Sequence, residues 1–89
     1  MHAVVVKVSI SDFEAATKHL KETVVPQISQ APGFVAGYWT RSDDGSDGQA
    51  MVVFESQQAA QAAEGMIPSH VPEGVTLEGT EVREVVANA

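Results

Sequence analysis

The runs Ala3-Val4-Val5-Val6 and Ala50-Met51-Val52-Val53-Phe54 are apolar at consecutive rather than alternate positions. A β-strand turns successive side chains to opposite faces of its sheet. Both faces of these two strands are therefore apolar, and both need cover. The rest of the chain supplies two helical stretches, enough for one face. The sequence thus predicts that a second copy of the protein covers the other.

Working outward from the first run, His2 to Ile10 reads as a strand. Val4, Val6, Val8 and Ile10 make one aliphatic face; Ala3, Val5, Lys7 and Ser9 make the other, assigned here to the partner subunit. Ser11-Asp12-Phe13-Glu14 fits a capping box, with Ser11 as the cap and Glu14 three residues on. Phe13, Ala16, Leu20, Val24 and Ile28 recur at helical spacing as a buried stripe. Pro26 removes a backbone donor within that pattern and predicts a kink or break near Val25. Ala31-Pro32-Gly33 ends the segment.

Phe34 to Arg41 reads as the second strand and Ser42 to Gly48 as a polar hairpin loop. Gln49 to Glu55 forms the third strand around the second apolar run. Ser56 caps a helix from Gln57 to Ile67, whose Ala59, Ala60, Ala62 and Ala63 permit close approach to a sheet. Ser69 to Gly74 is a loop, and Val75 to Val86 the last strand, with a bulge marked by Gly79. The order strand, helix, strand, strand, helix, strand gives a ferredoxin-like α+β sandwich, a four-stranded antiparallel sheet with both helices on one face.

With 89 residues and no cysteine, the chain is one small domain, residues 1–89, without disulfide staples. Such domains bury a modest share of their surface, and oligomerisation is a common remedy. The formal net charge of −7 opposes binding to nucleic-acid phosphates and to anionic membranes. No stretch is long enough to span a bilayer, and the N-terminal segment lacks signal-peptide features, so a cytoplasmic protein is expected. No zinc pattern and no His pair one helical turn apart points to a metal.

The passage Pro26-Gln27-Ile28-Ser29-Gln30-Ala31-Pro32-Gly33-Phe34-Val35, after a long first helix, resembles the dimeric α+β barrel superfamily. So does Val52-Val53-Phe54-Glu55-Ser56. The branch it resembles is that of the antibiotic biosynthesis monooxygenase-like proteins. The resemblance implies two subunits closing a barrel face to face, with a pocket in each between sheet and helices. It also implies a cofactor-independent monooxygenase-like activity on a small aromatic substrate. The alternative is a non-catalytic homodimeric module that binds a small apolar or aromatic ligand or serves a structural role. His70 falls roughly where the haem degraders of the superfamily carry a haem-ligating histidine, just after the second helix, but two departures argue against haem degradation. Phe54 stands where many oxygenase-type members carry a tryptophan, and the only asparagine, Asn88, is far from the first strand.

Five residues are candidates for a site. Tyr38 and Trp39 are adjacent, so one faces the helix-side pocket and the other the partner; either is a stacking wall or an ordinary packed aromatic. Arg41 shares Trp39's parity and either meets an anionic ligand or pairs with Asp43, Asp44 or Asp47. Phe54 completes the ligand wall. His70 is the candidate acid–base group, because imidazole changes charge near neutrality. His2 and His19 are expected to be exposed. Lys7 is expected to pair with Glu78, Glu81 or Glu84, within or between subunits.

Overall fold

The computed structural model describes residues 1–72 and 74–89. Among these, β1 (His2–Ile10) leads into a helical run of three parts: α1 (Phe13–His19), a π-helical turn (Leu20–Val24) and α2 (Val25–Ile28). There follow β2 (Phe34–Arg41), β3 (Asp47–Phe54), α3 (Gln57–Met66), a 3-10 turn (Ile67–His70) and β4 (Val75–Glu84). The described strands form one antiparallel sheet in the order β2-β3-β1-β4, the order of the ferredoxin-like sandwich. β1 and β2 have the bounds read from the sequence. β3 starts two residues earlier, and β4 ends at Glu84 rather than Val86.

The two apolar runs pair with each other. Val4 lies opposite Val52, and Val5 opposite Met51. Val4, Val52 and Phe54 are buried together with Ala60 and Ala63 of α3, so this face of the sheet is the helix side. α3 packs closely on β1, β3 and β4, as its alanines allow, whereas the first helical run makes far fewer contacts with the strands. Gly33, at φ +80°, turns the chain into β2 where an added Cβ would lie 3.0 Å from Ala59 Cβ.

Several expectations need correction. Asp12, not Ser11, caps α1: its Oδ1 accepts from the Ala15 amide at 3.1 Å, while the Ser11 hydroxyl donates to the Gly74 carbonyl. Pro26 does not break the helix. The Val25 N–H reaches back to the Leu20 carbonyl, and this widened turn carries the chain into α2 with Pro26 in its first turn, where a missing donor costs least. Phe13 is not part of a buried stripe but 39% exposed. His2 and His19 are half-buried rather than exposed. Among the described residues Lys7 makes no ion pair, and the one salt bridge joins Arg83 to Glu81 at 3.0 Å.

Each edge pairing contains a bulge. Lys7 faces Gly79 while Val8 faces Leu77, so Glu78 is the extra residue, next to the glycine that signalled it. Phe34 faces Phe54 while Ala36 faces Val53, so Val35 is extra as well.

Candidate functional site

A cavity of 310 Å³ lies between the sheet and the helices. That is near the lower end of the ~300–1,000 Å³ common for small-molecule sites. Its floor is the helix side of the sheet: Val4, Val6 and Val8 of β1, Ala50, Val52 and Phe54 of β3, and Val75 and Leu77 of β4. One wall is the first helical run, through Ala16, Leu20, Val24 and Ile28; the opposite wall is α3, through Ala59, Ala62 and Ala63. The cavity follows from the packing just described, since one helix sits close to the sheet and the other stands off.

The mouth is marked by lining residues that are also exposed. Gln27 and Pro32 lie on one side; Ala62, Met66 and His70 lie on the other. No lysine, arginine, aspartate or glutamate among the described residues lines the cavity. Thr40 and Gln49 border it, but by parity their side chains belong to the outer face, where the Thr40 hydroxyl donates to the Gln49 carbonyl at 2.7 Å. Trp39, His70 and Gln27 therefore contribute the side-chain polar atoms of the cavity.

Of the candidates from the sequence, the structure brings together Trp39, Phe54 and His70. Phe54 is fully buried and meets Phe34 edge to face, ring centroids 6.2 Å apart. Trp39 is half-buried, with its ring lying over Gly37. His70 sits on the 3-10 turn after α3, exposed at the mouth. Tyr38 does not join them: its strand neighbour has taken the inward position, and it projects from the outer face, 69% exposed. Arg41 does not line the cavity either. Its guanidinium stacks on the Phe13 ring, 4.6 Å from the centroid, in a separate shallow groove with Glu14, Lys18 and Lys21. The aspartates expected to pair with it do not.

Gln27 and Met66 are among the lining residues that escaped the sequence reading. Gln27 is three residues after Val24, and Met66 three after Ala63; helical spacing places each on the cavity face. The polar character of one and the exposure of the other hid them.

The outer face is apolar at its centre. Tyr38, Met51 and Val5 form one cross-strand row, and Ala36, Val53 and Ala3 the next. Met51 is 48% exposed. Glu81 and Arg83 close these rows on β4.

No protein-family model matches the chain, and no curated protein matches it. Solved structures do. SnoaB, a cofactor-independent oxygenase from Streptomyces nogalater, superimposes with a TM-score of 0.76 at 16% identity, over 98% of this chain and 94% of that one. A monooxygenase from the gene ActVA-Orf6 of Streptomyces coelicolor, solved with the ligand nanaomycin D, gives 0.56 at 21%, over 99% and 92%. The haem degrader MhuD from Mycobacterium tuberculosis, with two haems in its active site, gives 0.58 at 22%, over 97% and 98%. The chain thus shares the ferredoxin-like α+β fold of these three proteins. No helix among the described residues is long and apolar enough to cross a membrane.

Proposed function

We propose that the protein is a cofactor-independent, monooxygenase-like enzyme acting on a small phenolic or quinol-type substrate, and that it works as a homodimer joined through the outer sheet face. The observation that carries this reading is the 310 Å³ cavity with apolar walls, one indole and one imidazole. An electron-rich ring system is held by the aliphatic floor and by Trp39. Its hydroxyl proton passes to a His70 ring nitrogen. The resulting anion finds no fixed cation in the cavity, so the imidazolium formed at His70 is its counter-ion. The ionised ring then gives its electrons to dioxygen: a ring carbon forms a bond to one oxygen atom and loses its hydrogens to become a carbonyl, the O–O bond breaks, and the other oxygen leaves as water, so that the substrate supplies the electrons that a cofactor otherwise would.

Support comes from the shared fold with an oxygenase and a monooxygenase. The haem-degrading alternative is weaker, because the cavity has no fixed cation to receive haem carboxylates. A non-catalytic binding role is the second reading, and one observation favours it: among the described residues nothing hydrogen-bonds to His70 to orient it. Oxygen uptake with anthrone, which presents a phenolic hydroxyl as its anthranol tautomer, separates the two. The enzyme reading expects uptake above buffer that falls at least about ten-fold in His70→Ala. Uptake equal to buffer in the wild type, with anthrone bound, leaves the binding role.

A further inference from the structure

The cavity is built to sort ligands by charge. Its lining includes no acidic or basic side chain among the described residues, although the chain carries 17 such residues, 5 basic and 12 acidic. The walls are aliphatic or alanine, and the polar side-chain groups are a glutamine amide, an indole N–H and an imidazole. A carboxylate carried into such a place loses its water and meets at most neutral donors, with no fixed positive charge to offset its own. That is among the costliest of buried groups. The chain's net charge of −7 acts in the same direction outside the cavity, since its field repels anions before they reach the mouth. The three basic residues nearest one another, Lys18, Lys21 and Arg41, lie in the other groove, where Glu14 and Glu22 accompany them.

We infer that the site admits uncharged ring compounds and rejects the same compounds carrying a carboxylate, so that a physiological ligand with an acid group reaches it only as an ester, amide or lactone. This rests on the reading that the cavity holds a ligand, but not on its being catalytic. The rule also assigns a place among reactions. If the ligand is made with a free acid, an esterification, amidation or ring closure comes before this protein acts. Met66 is the position that can reverse the preference. It lines the mouth yet is 58% exposed, so a lysine there keeps its ammonium in water while facing an entering carboxylate.

The test uses three naphthalenes of one shape class: 2-naphthylmethanol, methyl 2-naphthoate and 2-naphthoate. Binding is measured at pH 8 by equilibrium dialysis, and entry into the cavity by the emission of Trp39, the chain's one tryptophan. The two neutral probes are expected to bind and to change Trp39 emission. 2-Naphthoate is expected to bind at least about ten-fold more weakly than its methyl ester, and Met66→Lys to recover most of that difference. Affinities of 2-naphthoate and its ester within about two-fold in the wild type overturn the charge rule and leave the cavity a ligand site. Failure of both neutral probes to bind overturns the ligand reading itself, and the rule with it.

Discussion

Gly37→Ala is the sharpest probe of the site, because it acts on Trp39 without touching the cavity's other walls. Gly37 and Trp39 are two residues apart on β2 and share its helix side. A Cβ built on Gly37 would lie 2.7 Å from Trp39 Cη2 and 2.8 Å from Cζ3. Ordinary carbon contacts lie at ~3.5–4.0 Å, so the far edge of the indole must retreat by roughly 1 Å. The strand backbone cannot give way easily, since Gly37 is paired with Val52 in the middle of the β2–β3 ladder. The free direction is into the cavity. Crowding a packed site costs about 1–3 kcal/mol. Alanine returns about 0.5–1 kcal/mol through lower unfolded-state entropy and better strand propensity. The net is a loss of about 1 kcal/mol, equivalent to a fall in Tm of ~4–8 °C for a domain of this size. Ligand binding should fall more than stability does, because the displaced indole occupies space the ligand uses. Thermal unfolding, Trp39 emission and binding of 2-naphthylmethanol measure the three effects. A variant with raised Tm, unshifted emission and unchanged affinity would show that the indole does not lie on Gly37, and the description of the cavity wall would fail.

Val5→Asp places a carboxylate at the centre of the outer face, beside Met51 and Glu81. An unpaired charge in an interface costs about 3–5 kcal/mol, equivalent to about a 10²–10⁴-fold change in dimer dissociation. Light scattering should give a dimer for the wild type at micromolar concentration and a monomer for the variant; a monomeric wild type sinks the dimer. In the β2–β3 hairpin, the Asp44 carboxyl is held at about 2 instead of 3.8, chiefly by the Ser46 hydroxyl, then the Ser46 amide and the Ser42 hydroxyl. A lowered folded value stabilises the protein above the unfolded value and loses that stabilisation as pH falls from about 4 to 2. Asp44→Ala should therefore lower the urea midpoint at pH 5 but bring it close to wild type at pH 2. An equal deficit at both pH values would mean that the loss comes from the turn itself and not from the ionised carboxyl.

What the sequence conveyed depended on how local the signal was. The apolar runs set β1 and the centre of β3, and the strand–helix order set the sandwich, because burial and alternation are written residue by residue. The π-helical turn was not legible. Leu20, Val24 and Ile28 keep a four-residue spacing that suits an α-helix as well, and the shift from one backbone acceptor to the next leaves no mark on side-chain pattern. Pro26 signalled trouble near the right place, and the chain answered by widening a turn rather than breaking. The cap moved by one residue because Asp12 and Ser11 both qualify, and the choice was made by Gly74, 63 residues away, which takes the Ser11 hydroxyl.

The site shows the same limit in its most consequential form. Tyr38 and Trp39 had to face opposite ways, yet their own residues do not say which faces in. The answer comes from Val35. Phe34 is on the helix side, against Phe54. Strict alternation from Phe34 would put Ala36 and then Tyr38 on that side and turn Trp39 outward. The extra residue at Val35 shifts the count by one, so that Phe34 and Trp39, five positions apart, share the cavity side. One bulge at the start of an edge strand thereby gives the cavity an indole, and gives the outer face a phenol whose ring is exposed beside Met51.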